Sequence, residues 1–266
     1  MRLELAGIQF SYGSGDILRD VGFKVEDGEI LSLVGPNGSG KTTILKCINR
    51  ILKPKRGKVL LEGKNIDTMK LRDLARTFGY IPQSSPVSFP LTVFDMVLLG
   101  RKPYIRWKTG KRDYEAVFKI IELMGLDEMA FRAFDELSGG EKQRALVARA
   151  FAQEPRVLLF DEPISNLDLR YQLEILDIVS GMVRGAGLSA VMAMHDLNLA
   201  SRFSDKIVML KKGEIFAAGR CQDVINADNI REVYGIEVAV YVDSGKPQVV
   251  PVACVREGKN IEKVCS

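Results

Sequence analysis

A glycine-rich stretch near the start of this chain constrains its fold more than any other feature of the sequence. Its residues match the spacing G-x-x-x-x-G-K-[ST] of a phosphate-binding loop. They are Gly35, Pro36, Asn37, Gly38, Ser39, Gly40, Lys41 and Thr42, followed by Thr43. An apolar run typical of a buried parallel strand precedes them, and apolar residues at helical spacing follow. We therefore predict an α/β fold in which this loop joins a strand to a helix and binds a nucleotide.

The residue types in the loop fit phosphate chemistry. Glycines let several main-chain N–H groups converge on phosphate oxygens at a helix N-terminus. Lys41 would reach the β- and γ-phosphates as a point charge, and the Thr42 hydroxyl would bind Mg²⁺. Tyr12, in a predicted turn upstream, is a candidate to stack on the nucleotide base. The alternatives are a flexible glycine turn and an ordinary half-buried tyrosine.

Composition limits the class of protein. With 266 residues, 46% of them hydrophobic and 27% charged, the chain fits one large α/β domain, or a core with a small insert. A net charge of +4 and scattered basic residues do not indicate a nucleic-acid partner. The four cysteines lack metal or disulfide spacing, which favours reduced thiols in a cytoplasmic protein. We find no signal peptide and no run of ~18 apolar residues, so a partner would have to supply any membrane spans.

Two adjacent acidic residues end a later apolar run, at 157–160. Asp161 would hold Mg²⁺ through a water molecule, as the carboxylate of a Walker B strand does. Glu162, one residue further on, would polarise the attacking water as a general base. A simple turn that carries two carboxylates is the alternative.

Gln83 and His195 also follow predicted strands. Ligands of α/β sheets bind outside the carboxyl ends of the strands, so His195, the only histidine, is a candidate contact of the γ-phosphate. Gln83 is a candidate to complete the Mg²⁺ shell and to sense the γ-phosphate. The alternatives are a structural histidine and a loop amide.

A second helix start has the properties of an anion site. Ser138 and Glu141 have capping-box spacing, and Gly139 and Gly140 leave the first N–H groups open to an anion. A well-capped structural helix is the alternative. This helix closes a stretch, 84–152, that has few strand-like runs and several helical patterns, and we interpret it as a helical subdomain inserted into the sheet-bearing core.

Taken in order, these motifs resemble those of the ATP-binding subunits of ABC transporters, over about 3–219. The resemblance implies a P-loop NTPase (ABC ATPase) core with a mixed sheet and an inserted helical subdomain. The core, RecA-like with an antiparallel β subdomain, would comprise 1–84 and 155–219. The helical signature subdomain would comprise 85–154, and a short C-terminal extension 220–266. The A-loop of the family matches Tyr12, its Q-loop matches Gln83, and its switch histidine matches His195. Its signature motif matches LSGGE at 137–141, and its D-loop matches Asp168.

The same resemblance implies a mechanism with ATP and Mg²⁺. In the family, two cassettes form a head-to-tail dimer, and each ATP lies between the P-loop of one copy and Ser138, Gly139 and Gly140 of the other. Glu162 would orient the water, while His195 and Lys41 would stabilise the developing charge. The expected partners are a second copy of the chain, multi-span permease subunits and, indirectly, a substrate-binding protein, with the chain at the cytoplasmic face of the cell membrane.

Within the family, 91–101 (LTVFDMVLLGR) and the tail at 229–236 and 243–247 are similar to importer subunits for iron-siderophore, haem and cobalamin uptake. We expect the cargo to be a metal chelate, with a metal ion or an oxyanion as the alternative. A soluble ABC-type ATPase of DNA repair or translation, a P-loop kinase or GTPase, and a non-catalytic nucleotide-binding module are the rival classes.

The stretch 84–107 is a candidate docking surface for the permease. It includes Phe89 and the only tryptophan, Trp107, and basic residues lie between and beside its aromatic residues. These basic residues are Arg101, Lys102, Arg106 and Lys108. Because aromatic residues and arginine are enriched at protein interfaces, we expect a cytoplasmic permease helix to dock here while the basic residues face lipid headgroups. An ordinary loop with a solvated basic face is the alternative.

Overall fold

A computed structural model describes residues 2–13, 15–83, 90–164 and 167–255. Within these ranges the strands, in chain order, are β1 (Leu3–Tyr12), β2 (Gly15–Val25), β3 (Ile30–Val34), β4 (Arg56–Leu61), β5 (Lys64–Asn65), β6 (Phe78–Ile81), β7 (Val157–Asp161), β8 (Ser189–Ala193), β9 (Lys206–Lys211), β10 (Glu214–Arg220), β11 (Ile236–Asp243) and β12 (Lys246–Cys254). The helices are α1 (Lys41–Ile48), α2 (Leu71–Thr77), α3 (Val93–Leu98), α4 (Lys111–Leu123), α5 (Gly139–Ala152), α6 (Leu169–Ala186), α7 (Leu197–Phe203), α8 (Cys221–Val224) and α9 (Ala227–Tyr234). None of the helices in the described part of the chain is long and apolar enough to cross a membrane.

A six-stranded sheet forms the centre, in the order β10-β9-β3-β8-β7-β6. The five strands from β9 to β6 are parallel, and β10 pairs with β9 in the antiparallel sense at one edge. Every residue of β3, β7 and β8 is buried, which explains why these strands appear in the sequence as continuous apolar runs. The carboxyl ends of β3, β7 and β8 meet at one edge of the sheet, and this edge carries the site.

The second sheet, β2-β1-β4-β5, is antiparallel. Its apolar face packs with α1 against one side of the central sheet, whereas the helical region and the C-terminal elements share an apolar core with the other side. The prediction of an α/β fold with a mixed sheet is confirmed, and an antiparallel β unit accompanies it. The predicted domain boundaries remain a prediction.

The helical region consists of α3, α4 and α5. Thr92 and Ser138 cap α3 and α5, each with a complete capping box, and the capping-box spacing in the sequence thus marks the start of α5 correctly. Gly100 permits close packing beside α5, because a Cβ at Gly100 would lie 2.1 Å from the Arg149 carbonyl oxygen.

Two elements beside the phosphate loop have boundaries that the local apolar pattern does not mark. The helix α1 ends at Ile48, because Arg50 adopts a left-handed backbone conformation with φ 55°. The strand β2 begins at Gly15, and exposed polar residues flank Ile17 and Leu18 in its first half.

The predicted docking surface is corrected in part. Arg101 was expected to face lipid headgroups, yet its side chain is buried and binds Asp113, Glu154 and the Ala152 carbonyl oxygen. Its guanidinium also stacks on the Tyr104 ring, with 4.1 Å between the guanidinium carbon and the ring centroid. Both residues are therefore structural. Trp107 is 95% exposed, as expected for an anchor, whereas Phe89 lies outside the described residues.

Candidate nucleotide-binding and hydrolysis site

At two positions the backbone of the phosphate loop adopts a conformation that only glycine tolerates. Gly35 has φ 148°, and a Cβ there would lie 2.4 Å from the Leu210 carbonyl oxygen. Gly40 has φ 106°, and its Cβ would lie 2.5 Å from the Leu18 side chain. The loop is therefore pressed against β9 and β2 while its N–H groups turn toward the start of α1.

Lys41, the first residue of α1, is buried and donates from Nζ to the carbonyl oxygens of Gly35 at 2.8 Å and Pro36 at 3.2 Å. Burial lowers the pKa of Lys41, and the carboxylates of Glu162 and Asp161 act in the opposite direction. The ammonium group thus lies inside the loop. Ser39 Oγ is buried and has no hydrogen-bond partner among the described residues, as expected of a donor that awaits a phosphate oxygen.

A cavity of about 290 Å³ opens above the loop. Tyr12, Ile17, the loop residues 37–43 and Glu162 line it. Tyr12 is 58% exposed, and its ring packs nearly at a right angle to the Phe10 ring, with 4.8 Å between ring centroids. This exposed side chain lines the cavity, and stacking on a base remains a prediction.

Asp161 is the hub of the expected metal site. Thr42 Oγ1 donates to Asp161 Oδ1 at 2.7 Å, so the two predicted Mg²⁺ ligands of α1 and β7 are in contact. Tyr80 OH donates to Asp161 Oδ2 at 3.1 Å, and sequence reasoning missed this residue. Burial and the adjacent Asp161 carboxylate raise the pKa of Tyr80, so the phenol stays protonated as a donor. The hydroxyl, the carboxylate and added phosphate oxygens are the ligand types that Mg²⁺ prefers.

Glu162 lies at the centre of the residues that the sequence predicts to act in hydrolysis. It has φ 55°, unusual for a residue other than glycine, and backbone strain of this kind concentrates at functional sites. His195 Nε2 contacts Glu162 Oε1, and Gln83 Nε2 donates to Glu162 Oε2 at 2.5 Å. Gln83 and His195 therefore both contact the Glu162 carboxylate, and the three residues follow the ends of the neighbouring strands β6, β7 and β8. In this state the Gln83 amide contacts Glu162 and not the Asp161 side of the metal site.

The signature residues 137–141 lie elsewhere. Ser138 and Gly139 are exposed, and the Ser138 backbone N–H donates to Glu141 Oε2 at 2.8 Å. Gly140 is required by packing, because a Cβ there would lie 2.6 Å from the Tyr171 ring. Asp168, the predicted D-loop residue, caps α6 by accepting from the Tyr171 N–H at 3.1 Å. Among the described residues that line the nucleotide cavity, none comes from 137–141.

Comparison with known proteins agrees with this geometry. The family model described as ABC transporter matches residues 18–165, more than half of the chain. The chain belongs to the ABC transporter family. It is an ATP-binding subunit of the ABC type and, like such subunits, an ATPase.

Two curated ABC proteins illustrate the relationship. An ABC transporter ATP-binding protein of Methanocaldococcus jannaschii is 46% identical, over 95% of this chain and 98% of the relative. The ferric enterobactin transport ATP-binding protein FepC of Escherichia coli is 33% identical, over 94% of each chain.

Two solved ABC structures share the fold. A chain of a metal-chelate type ABC transporter in an inward-facing conformation matches with a TM-score of 0.82 and 26% identity, over 94% of this chain and 96% of its own length. A bacterial ABC transporter cassette solved as a dimer matches with a TM-score of 0.73 and 27% identity, over 82% of this chain and 98% of its own.

Proposed function

We propose that this ABC ATPase drives the import of a metal chelate, such as an iron-siderophore, haem or cobalamin-like complex, through a permease at the cytoplasmic face of the membrane. The relative named for ferric enterobactin transport and the structural neighbour of the metal-chelate type support the cargo class. The similarity extends through the C-terminal elements, since both matches include 94% of the chain.

One observation carries the hydrolysis mechanism: Gln83, Glu162 and His195 meet beside the cavity above the phosphate loop. With ATP bound, Lys41 would exchange the loop carbonyls for the β- and γ-phosphates. Glu162 would accept a proton from the attacking water, and His195 and Lys41 would stabilise charge on the γ-phosphate. The same carboxylate binds Gln83, so a change at the γ-phosphate is transmitted to the segment that follows β6.

Mg²⁺ fits the site, because Thr42 and Asp161 present adjacent oxygen ligands and Tyr80 orients the carboxylate. The chemistry that Mg²⁺ would supply here is neutralisation of the negative charge on the phosphates. Thr42 and Asp161 would hold it, Asp161 through water, and Gln83 would join them only after leaving Glu162.

A second copy would complete the site. The cavity receives no contribution from 137–141 of the same chain, although Ser138 and Gly139 are exposed at a helix start. A head-to-tail dimer would bring this helix start of one copy to the phosphates held by the other, consistent with the cassette solved as a dimer.

Transport by a reconstituted complex tests the proposal. The chain would be co-expressed with the permease and binding protein encoded beside its gene and incorporated into vesicles that contain ATP. We expect ATP-dependent uptake of ferric siderophore, haem or cobalamin. Uptake of molybdate or of a bare metal ion alone would contradict the cargo class. Failure of the chain to associate with any permease, although it hydrolyses ATP, would support the soluble ABC-type ATPase instead.

A further inference from the structure

The C-terminal hairpin, β11–β12, contacts the short helix that follows His195. This helix, α7, begins after Asp196, whose carboxylate accepts from the backbone N–H groups of Asn198 at 2.8 Å and Leu199 at 2.9 Å. His195 immediately precedes this cap. Its position beside Glu162 therefore depends on where the first turn of α7 lies.

Asn198 joins that first turn to β12 through two hydrogen bonds. Its Nδ2 donates to the Val249 carbonyl oxygen at 3.1 Å, and its Oδ1 accepts from the Val249 N–H at 2.6 Å. The side-chain amide thus replaces the peptide group of a neighbouring strand. Alternate residues of a strand direct their N–H groups to the same edge, and the neighbours at this edge, Pro247 and Pro251, have none. Of these three residues only Val249 has a backbone N–H to donate, and Asn198 Oδ1 accepts it.

The hairpin also holds the other end of α7. Lys246, the first residue of β12, donates from Nζ to the carbonyl oxygen of Ser204 at 2.8 Å. Ser204 follows the last residue of α7, is fully buried and shares a hydrogen bond of 2.6 Å with Ser32 of β3. A helix of only two turns is therefore fixed at both ends, and at each end by β12.

We propose that Asn198 is a positioning residue for ATP hydrolysis, which acts through His195 by tying the first turn of α7 to Val249. The inference rests on the proposed role of His195 at the γ-phosphate. It makes the C-terminal hairpin part of the hydrolysis machinery, although the hairpin lines no part of the nucleotide cavity within the described chain. Loss of the two hydrogen bonds would free the first turn of α7, and His195 would then spend less time beside Glu162.

The test compares Asn198→Leu, which keeps the approximate size of the side chain, with Asn229→Ala as a matched control. Asn229 also binds a main-chain carbonyl of the C-terminal region, that of Val224 at 2.9 Å, but it does not contact α7 through that bond. Because His195 is the only histidine, its ring Hε1 proton gives a single assignable NMR signal in the full-length chain without an affinity tag. Hydrolysis is measured with Mg-ATP.

We expect Asn198→Leu to lower kcat by about fivefold or more while KM for ATP changes less than about twofold, since the phosphate loop is untouched. The His195 signal should shift or broaden in Asn198→Leu and keep its wild-type position in Asn229→Ala. In a His195→Ala background, Asn198→Leu should have no further effect on kcat, as expected for residues that act as a unit.

A folded Asn198→Leu chain with wild-type kcat overturns the proposal, and so does an unmoved His195 signal. If Asn198→Leu fails to fold, Asn198→Asp, which keeps an acceptor for the Val249 N–H but loses the donor to the Val249 carbonyl oxygen, decides by the same two readouts. His195→Ala alone tests the proposed function: full activity there rejects the role of His195, and the NMR signal then reports separately whether Asn198 positions the ring.

Discussion

The phosphate loop and the signature helix start are both candidate anion sites. They differ in how many of the groups that would surround the anion come from a single chain. In the loop, Lys41 and Thr42 already bind groups of their own chain, and Lys41 is buried. At the start of α5, Ser138 and Gly139 are exposed, and no residue of 137–141 appears among the described residues that line the cavity. The loop therefore forms a half-site within one chain. In the proposed head-to-tail dimer, the signature helix start would bind the ATP held by the other copy.

The largest expected effect on ATP hydrolysis comes from a change in the half-site at the phosphate loop. Glu162→Gln keeps the size of the side chain but removes the proton acceptor that the attacking water needs. We expect kcat for ATP hydrolysis to fall by roughly 10²–10⁴-fold while ATP still binds, because general-base catalysis typically contributes that much. Steady-state hydrolysis and binding of labelled ATP measure the two effects. The variant should accumulate an ATP-bound dimer, and undiminished turnover would reject Glu162 as the base.

The second prediction tests whether the signature helix start of one copy completes the site of the other. A Lys41→Ala chain is mixed with a Ser138→Arg chain. In a head-to-tail dimer both changes fall in one composite site and leave the second site intact, so the mixture should form an ATP-dependent dimer. Each variant alone should not, because both of its sites are damaged. Light scattering with and without ATP measures dimer formation. Failure of the mixture, with both chains folded, would contradict the composite site.

Sequence reasoning placed most of the predicted half-site residues correctly in the fold, because these residues follow local rules, and their roles remain predictions. Asp161 and Glu162 end a buried strand, His195 follows another, and the glycine spacing of the loop is itself a structural requirement. Tyr80 was missed because its contact with Asp161 arises only from the parallel pairing of β6 with β7. A tyrosine one residue before the end of a strand gives no such signal by itself.

Longer-range contacts explain the other failures. Arg101 appeared in the sequence as part of a solvated basic run, but its partners come from α4 and from the end of α5. The bond between Asn198 and Val249 joins residues 51 positions apart, and it depends on how the hairpin docks on α7. Local patterns determine strands, caps and loops, whereas side-chain partners between distant elements require the fold.

Substitution of Tyr80 should have an intermediate effect on hydrolysis. It tests whether the metal site needs the hydrogen bond from Tyr80 OH to Asp161. In Tyr80→Phe, Asp161 loses one donor and becomes less well oriented. We expect the Mg²⁺ concentration for half-maximal hydrolysis to rise by about tenfold, near the lower end of what outer partners of metal ligands contribute. Hydrolysis titrated with Mg²⁺ at saturating ATP measures it. Tyr104→Phe is the control, because the Tyr104 hydroxyl binds the Gln153 carbonyl oxygen and not a site residue. Equal Mg²⁺ requirements in both variants would show that Tyr80 is dispensable.

The smallest expected effect on ATP chemistry concerns Trp107, which belongs to neither half-site. Its side chain is 95% exposed, and it is absent from the described lining of the nucleotide cavity. Trp107→Ala should therefore leave hydrolysis by the isolated chain nearly unchanged. If Trp107 is an anchor for the permease, the same change should weaken assembly by about 1–3 kcal/mol and reduce coupled transport, as truncation of interface aromatics does.

Tyr241 is a matched control for Trp107, since it is also an exposed aromatic residue, 62% exposed, but lies in the C-terminal hairpin. Affinity of the purified chain for permease in vesicles, together with uptake, separates the two variants. Tyr241→Ala should assemble normally. Normal assembly and uptake in Trp107→Ala would show that the region around Trp107 is an ordinary solvated surface and not a docking site. Phe118 and Phe131, which are also exposed and pack against Phe94 in the helical region, would then be the next candidates to test as permease contacts.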